Sequence, residues 1–285
     1  MIRPVALALL ALGSAAPALA QTEPPKEFTV SGSVALVSDY RFRGVSQTNK
    51  EMAIQGGLTI AHSSGFYVGT WGSNLAGWGT FGGSNMELDL IGGFKTAVGS
   101  GTIDVGLTWY NYPGGVQNTD FAEPYAKLSG TAGPVNLTAG VAYAPKQQAL
   151  GRWYNSGADA ANGVYNNPGK KGDNLYLWGD FSAAIPNTGL TPKAHIGYSD
   201  GNRGLGPAGT SVAPTGKYWD WMVGVDLTVP ALAPLTFGVA YTDTDIGQRE
   251  ADYLQPNFSE KQIGAFGSYK SIANPQVVFS VSAAF

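Results

Sequence analysis

Residues 219–229 read Trp-Asp-Trp-Met-Val-Gly-Val-Asp-Leu-Thr-Val. Trp219, Trp221, Val223, Val225, Leu227 and Val229 recur at period two, and Asp220, Met222, Gly224, Asp226 and Thr228 fall between them. Successive side chains of a strand point to opposite faces, so this stretch is a strand with one apolar and one polar or small face. At about ten residues it exceeds the five or six common in soluble sheets and suits a tilted strand crossing a bilayer.

The pattern recurs along the chain. Phe28, Val30, Val34 and Leu36 alternate with Thr29, Ser31, Ser33 and Ala35, and Met86, Leu88, Leu90 and Phe94 with Glu87, Asp89, Ile91 and Lys95. Ile103 to Trp109 and Val135 to Tyr143 do the same, and further strands are expected to begin near Met52, Phe66, Asp120, Asn174, Pro192 and Leu235. The final stretch, Val277-Val278-Phe279-Ser280-Val281-Ser282-Ala283-Ala284-Phe285, alternates back from an aromatic end. It resembles the recognition segment of bacterial outer-membrane barrels.

Alternation alone fits a sandwich, apolar side inward, or a membrane barrel, apolar side outward. Composition separates them. The 285 residues include 40 glycines and only 13% charged residues, too little charge for an ordinary soluble surface and too much glycine for helices. Zero cysteines exclude disulfide frameworks and thiolate metal sites. A net charge of −3 without a basic run gives no footprint for nucleic acid. The beginning of the chain reads as an export signal: Arg3, an apolar Val5–Leu12 and Ala18-Leu19-Ala20 point to a signal peptide over 1–20, cleaved before Gln21, then a flexible leader over 21–27. The expected product is an all-β, transmembrane, antiparallel up-and-down β-barrel over 28–285 in a bacterial outer membrane.

Loop lengths give the strand count. Short links near His62–Gly65, Val98–Gly101, Gly130–Gly133, Pro186–Gly189 and Pro230–Pro234 alternate with long ones near Asn74–Ser84, Pro113–Thr119, Lys146–Gly172 and Gly201–Gly216. Outer-membrane barrels have an even number of strands, with short turns on the periplasmic side. The apolar run Ile263–Tyr269 would make a thirteenth strand, so it is assigned to a last outer loop, Ile246–Asn274, within a small non-crossing hairpin. Twelve strands result, with fourteen as the alternative.

One segment is distinctive. Val37-Ser38-Asp39-Tyr40-Arg41-Phe42-Arg43-Gly44-Val45-Ser46-Gln47-Thr48, with Ser64 to Asn74, Glu87-Leu88-Asp89 and the closing Val277 to Phe285, resembles the TorF family of porin-like proteins. These are also known as Gcw_chp, bacterial outer-membrane proteins of unknown function. The resemblance spans most of the chain and implies a barrel with a channel role. It brings no substrate and no catalytic residues.

With apolar chains toward lipid, strand phase turns Asp39, Arg41, Arg43, Glu87, Asp89, Asp104, Glu123, Lys127, Asp180, Lys193, His195, Asp220 and Asp226 inward. Rings of charge set ion selectivity in pores, and the acidic excess predicts a mild preference for cations. A buried charge needs a partner, so Arg41 and Arg43 are expected to pair with Asp39, Glu87 or Asp89. Enzymatic chemistry has one candidate trio, His195 with Ser199 and Asp180, and no motif behind it. His62 beside Ser63 and Ser64 in a turn makes no triad. Trp71, Trp109, Trp178, Trp219 and Trp221 read as interfacial girdle residues, and Trp78 and Trp153 as outer-loop contacts.

The expected function is a porin-like channel for passive diffusion of small hydrophilic solutes or ions, without cofactor, metal or catalysis. Twelve strands enclose a narrower lumen than the 16 to 18 of general porins, and Lys146–Gly172 is the loop expected to fold inward. The alternative is a closed structural or surface-binding barrel acting through its outer loops, and an outer-membrane enzyme stands third. The expected partners are membrane lipid and lipopolysaccharide, the barrel-assembly machinery through the strand ending at Phe285, and an unidentified small solute.

Overall fold

The computed structural model describes residues 26–207, 209, 216–247, 250, 259–260 and 270–285. The expected signal peptide and all but the end of the leader lie outside them. The strands are β1 (Phe28–Val37), β2 (Arg41–Phe42), β3 (Val45–Ser46), β4 (Ala53–His62), β5 (Phe66–Asn74), β6 (Met86–Val98), β7 (Gly101–Asn111) and β8 (Phe121–Ala132). They continue with β9 (Val135–Gln147), β10 (Gly172–Ala183), β11 (Leu190–Asp200), β12 (Lys217–Thr228), β13 (Leu235–Thr244), β14 (Ser259–Glu260), β15 (Lys270–Ser271) and β16 (Gln276–Ala284).

Twelve of these close a barrel in the order β1-β16-β13-β12-β11-β10-β9-β8-β7-β6-β5-β4. All its pairings are antiparallel, and closure comes where β1 pairs both β4 and β16, as in Leu36 opposite Ile54 and opposite Val281. The Phe285 N–H donates to the Gly32 carbonyl at 3.0 Å, and the Gly32 N–H returns a bond to Phe285 at 2.9 Å. No strand edge is left open, which satisfies every ladder inside a medium that offers no hydrogen bonds.

Period two decides the faces. Ile54 is 68% exposed, Phe279 61% and Val223 56%, while their neighbours Gln55, Asp220 and Met222 point inward and are buried. An outer surface this apolar is suited to hydrocarbon, where its burial is favourable, and not to water. Trp109 and Trp219 lie on this face, as a girdle requires.

The short turns fall where expected, all at the barrel end that carries Phe28 and Phe285. The long loops lie at the other end, called the outer end below. Within the last long loop, β14 and β15 form a separate two-stranded pair, Ser259 opposite Ser271 and Glu260 opposite Lys270, apart from the barrel. The run Ile263–Tyr269 itself lies outside the described residues.

Two expectations need correction. The β1 strand ends at Val37, so Asp39, Arg41 and Arg43 belong to the connection from β1 to β4. The Trp71 and Trp178 side chains turn into the barrel: Trp71 packs edge-on against buried Tyr40 at 5.3 Å, and Trp178 stacks on Tyr176. Trp178 shares its phase with Tyr176 and Asp180, so period two itself puts it on the inner face, and reading it as a girdle residue goes against that phase.

Val223 sits mid-strand on the lipid face. Replacing it with Arg is expected to cost about 2–4 kcal/mol of folding free energy in a bilayer. Denaturant unfolding from lipid vesicles measures this, and an unchanged midpoint would place β12 in the opposite phase.

Candidate functional site

The site begins with the segment that follows β1. Residues 38–52 do not leave the barrel; they turn into its outer half and carry the small β2–β3 hairpin, Arg41 opposite Ser46 and Phe42 opposite Val45. The two turn residues, Arg43 and Gly44, have φ of 49° and 76°. Positive φ at both central positions belongs to the tight hairpin turn that follows strand twist, where Asn-Gly is the usual pair. Gly44 has a second reason to be glycine. A Cβ there would lie 2.8 Å from the Asp220 Cβ and would strike the Thr244 methyl.

Arg43 reaches across the interior from the hairpin tip. Its Nη2 donates to both Glu123 oxygens on β8 at 2.7 Å, and its guanidinium lies 4.1 Å above the Tyr176 ring and 4.8 Å from the Phe42 ring. Both partners of the ion pair are almost fully buried. Tyr110 donates its hydroxyl to Glu123 at 3.2 Å.

Arg41 secures the base of the loop. It pairs with Asp39 at 2.6 Å and donates through Nη1 to the carbonyls of Gly44, Ile272 and Asn274 at 2.9–3.1 Å. The Ser46 and Thr48 hydroxyls also donate to Asp39. Burial pushes the Asp39 carboxyl above its ordinary pKa, while the Arg41 charge and these hydroxyls pull it back.

Apolar packing completes the obstruction. Val45 joins Trp78, Tyr154, Leu205, Tyr218, Ile246, Ile272 and Ala273 in one buried cluster, against which Trp153 packs. Tyr40 belongs to a second cluster with Leu75, Phe81, Tyr110, Tyr112, Phe121, Ala149 and Leu150. Lys146–Gly172 was expected to fold inward as the constriction. It contributes Leu150 and Tyr154 to these clusters, and the inward loop is Ser38–Met52. A β1–β4 link with no turn signature beyond Arg-Gly gave period-two reading nothing to mark it by.

The other candidate residues lie on the inner side of their strands and form distinct groups. Glu87 accepts from the Tyr40 hydroxyl at 3.1 Å, and Asp89 is 1% exposed with neither oxygen hydrogen-bonded among the described residues. Asp104 accepts from Tyr67 at 2.6 Å and pairs with Lys127 at 3.3 Å. Lys193 and Asp226 pair at 2.6 Å. Arg41 therefore finds one of its expected partners, whereas Arg43 finds Glu123 and leaves Asp89 without a hydrogen-bonded cation.

His195 is held from both sides. Its Nδ1 meets Asp180 at 2.6 Å, and its Nε2 lies 2.9 Å from the Tyr176 hydroxyl and 3.2 Å from Asp220. Ser199 instead exchanges 3.4 Å contacts with Asn174. The geometry assembles His195 with Asp180, as the sequence trio required, but brings two carboxylates and a phenol to the imidazole where the trio needed a serine. In the turn at 62–65, exposed His62 lies 2.7 Å from the Ser64 hydroxyl and 3.6 Å from Glu27. Among the described residues no group of three or more His, Asp or Glu side chains is arranged to hold a metal.

Sequence reasoning missed the inward tyrosines. Tyr67 and Tyr125 hydroxyls contact each other, and Gly93 and Gly106 leave the wall space that these rings occupy. Gly140 does the same for Trp178. Part of the glycine content thus pairs with inward aromatic rings on adjacent strands. Lys95 also lies on the inner face of β6, opposite Asp104. Its signal was present in the alternation of β6.

The chain belongs to the Gcw_chp family, described as bacterial protein of unknown function, whose profile matches residues 21–285. That is the family its sequence resembles, and the match carries the Gcw_chp name. No curated protein matches the sequence. Among solved structures, the NanC porin is similar at 11% identity and TM-score 0.49, covering 90% of this chain and 99% of its own. The KdgM porin is similar at 9% identity and TM-score 0.47, with 90% and 98% covered. The outer membrane channel DcaP of Acinetobacter baumannii follows at 10% and 0.39, with 94% and 100% covered.

The Arg43–Glu123 contact is directly testable. Arg43→Gln or Glu123→Gln alone strands a buried charge and is expected to destabilise the barrel by about 3–5 kcal/mol. The double variant is expected to lose less than the sum, with a coupling of roughly 0.5–3 kcal/mol in urea unfolding from vesicles. Strict additivity would contradict the pairing.

Proposed function

We propose that this protein is an outer-membrane channel for passive diffusion of small hydrophilic solutes or ions, mildly favouring cations, with the loop Ser38–Met52 as its constriction. The observation that carries this reading is the inner face of a closed barrel lined by polar and charged groups. Its acids, Glu87, Asp89, Asp104, Glu123, Asp180, Asp220 and Asp226, with Asp39 of the inserted loop, outnumber its bases, Lys95, Lys127 and Lys193, with Arg41 and Arg43 of that loop. An excess of carboxylates along a narrow, low-dielectric passage raises the local concentration of cations. No covalent step is assigned to it. Export by a cleaved signal, insertion by the barrel-assembly machinery through β16, and lipopolysaccharide around the outer half belong to the same reading.

A second reading, a closed barrel acting through its outer loops, is favoured by the two buried clusters that fill the outer half. Planar-bilayer recordings separate the two. The channel reading expects the wild type to give small or rare steps, and a variant with residues 40–51 replaced by a short Gly-Ser link to conduct at least severalfold more. Under a salt gradient its reversal potential is expected to favour the cation. Silence from the folded, loop-replaced protein would favour the second reading, and an anion-favouring potential would refute the selectivity.

A further inference from the structure

The surroundings of Arg43 have the parts of a receptor for a guanidinium ion. Glu123 supplies two oxygens to one guanidinium nitrogen at 2.7 Å, and Tyr110 steadies that carboxylate. Tyr176 supplies a flat π face 4.1 Å from the guanidinium carbon. A carboxylate in the plane with aromatic faces above is how planar, weakly hydrated cations are recognised.

Two details separate this arrangement from an ordinary structural ion pair. The site holds more acid than its occupant answers: Asp89 lies opposite Tyr110 in the β6–β7 register, 1% exposed, and neither of its oxygens has a hydrogen-bond partner among the described residues. The occupant is also imperfectly served, because the Arg43 Nη1 is buried without a hydrogen-bond partner among the described residues. Moreover, Arg43 holds a left-handed backbone conformation that favours glycine or asparagine. An arginine therefore sits at a position whose backbone disfavours it, with its side chain inserted into a site that holds one more buried carboxyl group than its ion pair uses.

We infer that the Glu123–Tyr176 cage is a guanidinium-binding site whose tethered occupant is Arg43, and that a small guanidinium-bearing solute competes with Arg43 for it. Displacement would free the β2–β3 hairpin, so the cation that occupies the site also opens the passage. The binding half stands without the channel reading; the opening half rests on it. A short tether gives its occupant an effective concentration on the order of mM, so free solute must reach at least that range to compete in the wild type.

The test is chemical rescue in Arg43→Ala. Thermal unfolding of the full-length protein in detergent micelles is followed while methylguanidinium chloride is raised from zero to about 20 mM, with tetramethylammonium chloride as the ionic-strength control. The midpoint of Arg43→Ala is expected to rise saturably, half-maximal at about 1–10 mM. Tetramethylammonium is expected to do less, and Arg43→Ala with Glu123→Gln to show no rise. In a bilayer, sodium current through the wild type is expected to rise at least twofold as methylguanidinium is raised through the same concentrations, and not with tetramethylammonium. If Arg43→Ala does not fold, Arg43→Lys is titrated instead under the same criteria. A midpoint that does not saturate, or one that rises equally without Glu123, overturns the site. A saturating midpoint without a rise in wild-type current keeps the site and overturns the opening, whereas a rise in current without a midpoint shift does the reverse.

Discussion

A guanidinium removed from water costs several kcal/mol unless a carboxylate meets it at good geometry. Arg43 meets that requirement at 2.7 Å from Glu123, on the far side of the interior from its own strand. The contact fixes where the hairpin tip must be, and the tip fixes the rest. Gly44 is pressed against Asp220 and Thr244, Val45 enters the cluster with Trp78 and Ile272, and Ser46 donates to the Ile272 carbonyl at 3.1 Å. The residues that close the lumen come from several loops, but they converge on a hairpin held by one ion pair.

The barrel makes such an arrangement possible because its wall has two solvents. Alternation commits every second side chain to lipid, so charges along the middle of the strands go inside, where they meet each other at short range, and outward charges such as Lys217 and Asp200 are confined to strand ends. The result is a series of local pairs, Lys127 with Asp104, Lys193 with Asp226 and His195 with Asp180 and Asp220, and an acidic outer region served by loop arginines. Tyrosine hydroxyls bridge these groups, and inward glycines leave room for the rings.

How much of this is legible in the sequence depends on range. Period two identifies the strands, the lipid face and nearly every inward charge, because phase along a strand is a local property. Asp104, Glu123, Asp220 and Asp226 are thereby placed on the inner face from their neighbours alone. Partner choice is not local. Nothing near Arg43 in sequence names Glu123, eighty residues away, and nothing in Ser38–Met52 distinguishes a loop that enters the barrel from one that leaves it. The dipeptide Arg43-Gly44 is the one hint, since a hairpin turn there demands positive φ from both residues. Trp71 and Trp178 were misassigned for a different reason: both lie inside their strands in phase with inward neighbours, Tyr67 and Ser73 for one and Tyr176 and Asp180 for the other, and residue type was read ahead of phase.

Amide hydrogen exchange in lipid-embedded protein tests the inserted loop most directly. The Ser46 amide donates to Ile272 and the Gln47 amide donates to Tyr40 at 2.7 Å, both inside the barrel mouth. A loop seated as described protects these two amides to a degree comparable with the ladder amides of β1, because both must break buried bonds to exchange. Exchange of Ser46 and Gln47 at unprotected rates, with β1 still protected, would mean that Ser38–Met52 does not occupy the lumen and that the Arg43–Glu123 pair does not hold it there.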